Sequence, residues 1–237
     1  MNIAAVNAIN IKWNFDPESI SGYGVDRQTA YFRLKKLMSE FVWDLVCLED
    51  NPYSFSEVQT LIEGITVGGH TLFDQKQILN QFASLKQLLD IIKNDSFVFE
   101  KETILSAHKL IAEEEALKWG CLRDGQVCIS GTEHKPPQSD ELPSLMSKGI
   151  REIAKIDNPF ERALVYFCFG SINQFFYDGN KRTSRWVMNA ILMSNGYNYL
   201  SVPCSKKSEF NTSMVRFYDS RDASEVIEFM RSCYVED

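Results

Sequence analysis

The stretch Phe175-Phe176-Tyr177-Asp178-Gly179-Asn180-Lys181 joins two strongly apolar segments and gathers residue types that bind anions. Gly179 and Asn180 are the types that take left-handed backbone angles at least cost, so successive amides there can converge into a concave nest. Lys181, Arg182 and Arg185 place three positive charges at the start of the segment that follows. Cations at a helix N-terminus oppose its dipole by about 0.3–1 kcal/mol each. A polyphosphate bound there removes the conflict and uses the amides and both guanidinium groups. Asp178, the sole acid of the loop, can hold a divalent cation against such a phosphate. The plain alternative is a helical turn with a solvated basic rim. The apolar setting weighs against it, because a joint between two helices that are apolar nearly all round lies at the end of a core.

The elements that must position this loop read as helices with short joints. Asp26 to Leu48 repeats apolar residues at helical spacing and predicts one long amphipathic helix. Ser54-Phe55-Ser56-Glu57 fits a capping box, with a stop at Gly64. Further helices are predicted over Asp74–Ile92, Thr103–Leu117 and Leu142–Ile156. Asn158-Pro159 then caps an apolar helix through Ile172, and a second apolar helix runs from Arg182 to Asn195 and ends at Gly196. Two shorter helices flank Ser220. Between Trp119 and Pro143, the glycines, prolines and β-like run Gln126-Val127-Cys128-Ile129 predict a small hairpin or flap. No repeat or linker interrupts the chain, so one mostly helical domain is expected.

Composition bounds the function. The 237 residues are 44% hydrophobic and 24% charged, which excludes a disordered or fibrous chain. No run of about 18 apolar residues is present, so no membrane span is expected, and the opening Met1-to-Trp13 lacks a secretory leader's cationic start and apolar segment. A net charge of −7 argues against a general nucleic-acid binder, which needs clustered Lys and Arg. Cys47, Cys121, Cys128, Cys168, Cys204 and Cys233 are scattered without C-x-x-C, as expected of buried reduced thiols in the cytoplasm. Three histidines without ligand spacing argue against a zinc site. His108 on an apolar helix face reads as a core histidine, and the acidic run Glu113-Glu114-Glu115 as a solvated helix face. Neither a P-loop, a nucleophile elbow nor a dinucleotide fingerprint occurs.

The segment Gln174-Phe175-Phe176-Tyr177-Asp178-Gly179-Asn180-Lys181-Arg182-Thr183-Ser184-Arg185 resembles the signature H-P-F-x-D-G-N-G-R-x-x-R of the Fic family. Gly120 with Arg123, the Val127-to-Pro137 flap, Asn189 and the Arg216-Phe217-Tyr218 segment are also similar to Fic features, so the resemblance runs from about Gln59 onward. It implies an all-α, compact helical bundle with a small β-hairpin flap. An N-terminal helical region (1–98), a Fic core (99–200) and C-terminal helices (201–237) are the implied divisions. The implied activity is transfer of AMP from ATP to a Ser, Thr or Tyr hydroxyl of a target protein. Asp178 would bind Mg2+, and Gly179, Asn180 and Lys181 would offer amides to the phosphates. Arg182 and Arg185 would hold the outer phosphates. Cys128, Ile129, Ser130, Gly131, Thr132, Glu133 and His134 would form the flap on which the target lies as an added strand. A homodimer is compatible with the resemblance.

Two positions depart from the family pattern. The histidine that serves as general base falls on Gln174, and an amide cannot accept the hydroxyl proton near neutrality, a loss worth about 10²–10⁴-fold. His134 is the one histidine placed to replace it. Lys181 stands where most of the family has Gly, an exchange that resembles the Doc branch of phosphotransferases. Gln59-Thr60-Leu61-Ile62-Glu63-Gly64 resembles the inhibitory S/T-x-x-x-E-G of some Fic proteins, which implies that Glu63 pairs with Arg185 and excludes ATP. Three readings stay open: an adenylyltransferase held down by Glu63, a nucleotide-binding pseudoenzyme that recognises a partner protein, and a Doc-like phosphotransferase.

Overall fold

The structure is a computed structural model that describes residues 9–234. The first eight residues of the opening segment read for a leader, and the last three of the 201–237 region, lie outside the described residues. Helix α1 (Arg27–Lys36) starts where the Asp26 carboxylate accepts the Thr29 amide. At Leu37 the backbone leaves the helical region (φ −102°, ψ 17°), and α2 (Met38–Cys47) begins anew. The single 26–48 helix expected from periodicity is thus two, because a one-residue break leaves Leu34, Phe41 and Leu45 buried in one core. Helix α3 (Phe55–Ile62) carries the expected capping box and stops at Gly64, whose φ is +89°. Helices α4 (Leu72–Lys93) and α5 (Lys101–Ile111) follow; the latter ends six residues before the predicted Leu117.

After an irregular interval come α6 (Leu142–Ile153), α7 (Pro159–Asn173), α8 (Asn180–Ser194), α9 (Lys207–Ser220) and α10 (Ser224–Ser232). Asn158 caps α7 by accepting the Phe160 and Glu161 amides. Helices α7 and α8 pack on each other more extensively than any other pair, with α4 and α5 against α8 and α6 against α7. Phe160, Phe167 and Phe169 of α7 and Val187, Leu192 and Met193 of α8 are wholly buried. Each such side chain contributes about 1.5–3 kcal/mol relative to exposure. One core cluster runs from Ile9 to Tyr234. No helix among the described residues is long and apolar enough to cross a membrane.

Close approach of α6 to α7 depends on Gly149. A Cβ there would stand 2.0 Å from Phe169 Cζ. Alanine ordinarily stabilises a helix interior over glycine by up to about 1 kcal/mol, but here overpacking of about 1–3 kcal/mol prevails. Gly149→Ala should therefore lower the urea midpoint. A raised midpoint would mean that the helices part freely.

Two expectations are corrected. The flap is not a β-hairpin: residues 126–137 contain no strand, and the described residues hold only isolated bridges elsewhere. Gln126–Ile129 forms no strand, and the segment that returns past it is tied elsewhere, with the Pro137 carbonyl accepting from Arg123 and His134 Nε2 standing 2.9 Å from the Ile172 carbonyl. Nor are the cysteines uniformly buried and reduced. Cys47 is paired with Cys204, and Cys121 and Cys128 are exposed, whereas Cys168 and Cys233 are buried thiols. Asp44 brings the pair together, accepting from the Cys204 amide and the Ser201 hydroxyl at 2.9 Å each.

Candidate functional site

The loop between α7 and α8 is held from below by the core. Helix α7 ends at Gln174, whose φ of +47° turns the chain. The Gln174 amide is engaged at both ends: Nε2 donates to the Ser171 carbonyl (2.7 Å) and Oε1 accepts from Asn180 Nδ2 (3.0 Å). Asn180 also closes the loop on itself, accepting the Phe176 amide and donating to the Phe176 carbonyl at 2.9 Å. Phe176 stacks on His108 with ring centroids 3.6 Å apart. The buried Arg123 donates to the carbonyls of Gln174, Gly125 and Pro137, each at 2.6 Å, and so ties the base of the flap to the loop. Gly179 (φ +72°) satisfies the left-handed expectation, but Asn180 is already helical.

His108 fixes the loop through its tautomer. Its Nδ1 accepts the Gly120 amide (3.1 Å), so Nε2 carries the proton and donates to the Asp178 carbonyl (3.1 Å). Burial pushes its pKa down to about 4, against the raising effect of that hydrogen bond. The unfolded chain takes up this proton below about 6.5. Native stability is therefore intact above pH 6.5 and declines as pH falls from there to 4, by up to ~3 kcal/mol. Urea unfolding at pH 7 and pH 4.5 should show this loss, and His108→Gln should remove that part of the pH dependence.

Above the loop lies a cavity of about 500 Å³. Gln174 and Tyr177 to Arg182 form its floor, Cys128, Ile129 and Ser130 one wall, and Asn211, Met214, Val215 and Tyr218 of α9 the other. Glu49, in the turn after α2, also faces it. The first-turn amides of α8 have no acceptor within their helix, as at any helix start. Asp178 Oδ1 accepts the Gly179 amide (2.5 Å) and lies 3.4 Å from Arg182 Nη2, with the carboxylate half-exposed.

Arg182 and Arg185, both buried, each meet an acid at close range. Arg182 Nη1 meets Glu115 Oε2 at 2.6 Å, and Arg185 Nη2 meets Glu49 Oε1 at 2.7 Å. Lys181 Nζ is 3.7 Å from Glu49 Oε2. Burial tends to raise the Glu49 carboxyl, but Lys181, Arg185 and Arg182 outweigh it and hold it at about 2. Burial lowers the Arg185 guanidinium despite Glu49, whereas for Arg182 the burial effect is overcome by Glu115, Glu49 and Asp178. Arg182 Nε, Arg185 Nε and Arg185 Nη1 are buried without acceptors. An unmet buried donor costs about 1–3 kcal/mol, more when charged, so an anion fits this set of groups.

Gln174, Asp178, Gly179, Asn180, Lys181 and Arg182 are thus brought together with Cys128, Ile129 and Ser130, and Arg185 lies behind Glu49. The rest of the expected flap departs. Thr132 bonds Asp219 of α9, and Gly131 packs near Val215. Glu133 and His134 border a separate cleft of about 570 Å³. His134 Nε2 is 2.9 Å from the Ile172 carbonyl, outside the main cavity. Glu63 is exposed at the end of α3 with no ion pair among the described residues, so the expected Glu63–Arg185 pair is replaced by Glu49–Arg185. Glu115 was expected in solvent; its side chain is wholly buried. Glu49 carries the same local signal that singled out Glu63, an acid just past a helix C-terminus, where the dipole disfavours it.

Residues 98–192 match the model of the Fic/DOC family. The protein adenylyltransferase Fic of Drosophila ananassae is 23% identical over 213 residues, 87% of this chain and 41% of that protein. The protein of the same name from Drosophila persimilis is 22% identical over 221 residues, 91% of this chain and 42% of its own length. The chain thus spans about two fifths of the curated relatives it matches. Among solved structures, a Fic family protein from Desulfovibrio desulfuricans superposes with a TM-score of 0.74 at 21% identity, covering 98% of this chain and 70% of that one. Fic-1 from C. elegans gives 0.71 at 16% identity, covering 98% and 67%. At these identities the structural likeness concerns the fold.

Proposed function

We propose that this chain, whose residues 98–192 belong to the Fic/DOC family, binds ATP in the cavity and transfers AMP slowly to a Ser, Thr or Tyr hydroxyl of a target protein. The observation that carries the reading is Arg185: a buried guanidinium with two unmet N–H positions and a single acid partner, Glu49, standing at the cavity wall. Glu49 occupies the donor that an outer phosphate would use. It, and not Glu63, is the brake. With Glu49 displaced, Arg185 and Lys181 turn to the phosphates alongside the first-turn amides of α8. Asp178 is the acid suited to magnesium, which takes one or two carboxylates and otherwise phosphate oxygens and water. Magnesium would supply charge neutralisation to the phosphates.

In the transfer, the target's hydroxyl oxygen bonds to the α-phosphorus, the bond to the bridging oxygen breaks, and pyrophosphate leaves. The hydroxyl proton goes to water, because the Gln174 amide holds none of it near neutrality. Positioning and phosphate electrostatics carry the residual rate. Cys128 to Ser130 are the part of the flap placed to meet the target. A second reading, a nucleotide-binding pseudoenzyme, draws support from the Gln174 amide, whose two hydrogen bonds commit it to loop structure.

The test is incubation of Glu49→Ala protein with magnesium and ATP labelled at the α or the γ phosphate. Self-labelling from the α position is expected. Label from the γ position would make it a phosphotransferase of the kind Lys181 resembles, ATP binding without label a pseudoenzyme, and absence of binding would overturn the nucleotide reading.

A further inference from the structure

The two arginine–carboxylate pairs are built differently. Glu49 sits in a turn at the cavity wall with 18% of its side chain exposed. Glu115 follows α5, and although its backbone reaches solvent its side chain does not. Three donors converge on that carboxylate: Arg182 Nη1 at 2.6 Å, Asn80 Nδ2 at 2.8 Å and Gln77 Nε2 at 3.3 Å. Asn80 and Gln77 belong to α4 and are themselves buried. Each is held in turn: Asn80 Nδ2 also donates to the Glu113 carbonyl (2.8 Å), and Gln77 Oε1 accepts from Asn51 Nδ2 (3.0 Å). A carboxylate has about four acceptor positions, and three are already committed to fixed donors.

We infer that Glu115 is a positioning residue for the phosphate site, an anchor through which α4 sets the Arg182 guanidinium at the cavity floor. Arg182 lines the cavity, and its Nε is buried without an acceptor. Without Glu115 the acid left within ion-pair distance of the guanidinium is Asp178, now 3.4 Å away. Closing that gap would withdraw both the arginine from phosphate and the acid from magnesium. The two carboxylates on the phosphate-site arginines therefore act with opposite sign: Glu49 competes with the ligand, and Glu115 prepares its receptor.

Charge alone predicts the reverse for Glu115. Removing a negative group beside a phosphate site would strengthen anion binding if the group acted only through its field. Positioning requires that binding weaken.

The inference rests on the nucleotide reading, and the experiment separates the two. In the Glu49→Ala background, displacement of a fluorescent ATP analogue measures ATP and AMP affinity with magnesium present. No binding by Glu49→Ala itself defeats the nucleotide reading. Given binding, adding Glu115→Gln should weaken ATP at least tenfold and leave AMP within about twofold, since Arg182 serves the outer phosphates. Unchanged or tighter ATP binding, or an equal loss for both nucleotides, would overturn the positioning role. If Glu115→Gln fails to fold, Asn80→Ala keeps the carboxylate and removes one orienting donor. It should weaken ATP about threefold or more and spare AMP, and an unchanged ratio of the two would sink the inference.

Discussion

Glu49→Ala protein is expected to bind magnesium–ATP about 5–150-fold more tightly than the parent chain, the range that a coupling free energy of about 1–3 kcal/mol produces. Titration calorimetry reads it directly. The substitution frees the Arg185 Nη2 donor and the Lys181 ammonium together, since both face the same carboxylate. It also removes a negative charge from the cavity, so charge and donor release act in the same direction. Glu63→Ala should leave the affinity as it was, because that carboxylate stands in solvent. Equal affinities for the parent and Glu49→Ala chains would mean that the turn after α2 already yields to nucleotide.

Acidity is not expected to release the proposed Glu49 brake under ordinary conditions. The Glu49 carboxyl is depressed from 4.5 to about 2 by its cationic neighbours. Its contribution is fully present above about pH 4.5 and is lost as pH falls from there through 2. ATP affinity of the parent chain should accordingly show no Glu49-linked change between pH 5 and 8. If Glu49 is the proposed brake, its relief is expected from displacement of the turn rather than protonation of the acid.

The second large effect is expected at Gln174. In the Glu49→Ala background, Gln174→His should raise the rate of α-phosphate labelling by about 10²–10⁴, the usual worth of a general base. The site accommodates the exchange for a backbone reason. Gln174 has φ +47°, and His is among the non-glycine residues enriched in that left-handed region. An imidazole donating to the Ser171 carbonyl, as the Gln174 amide does now, would keep its other nitrogen unprotonated and available as a base. Gel autoradiography of a time course separates a gain in rate from a gain in binding. If ATP binds equally well to both variants and labelling does not rise, the reacting hydroxyl cannot reach this corner of the cavity.

Much of the architecture is legible because it depends on neighbours a few residues apart. Asp26, the Ser54–Glu57 box and Asn158 start helices with their own side chains, and Gly64, Gly179 and Gly196 turn left-handed where the pattern breaks. The two apolar helices and the basic, glycine-containing loop between them carry their chemistry in their residue types. Where the reading failed, a distant partner decided. The break at Leu37 is invisible to periodicity because both halves bury the same side. The β-like run Gln126–Ile129 forms no ladder, because a strand needs an opposing strand and none returns to it.

The residue types of the motif pointed to an anion site at the joint between two central helices. They could not say which acids face its arginines. Arg182 and Glu115 are 67 positions apart, and Arg185 and Glu49 are 136 apart. A formal charge belongs to a residue wherever it stands, but desolvation and pairing belong to whatever the folded chain packs around it. That is why one glutamate of an acidic run became a buried partner of Arg182, and why Glu49 in a helix-end turn faces Arg185 where the sequence pointed to Glu63.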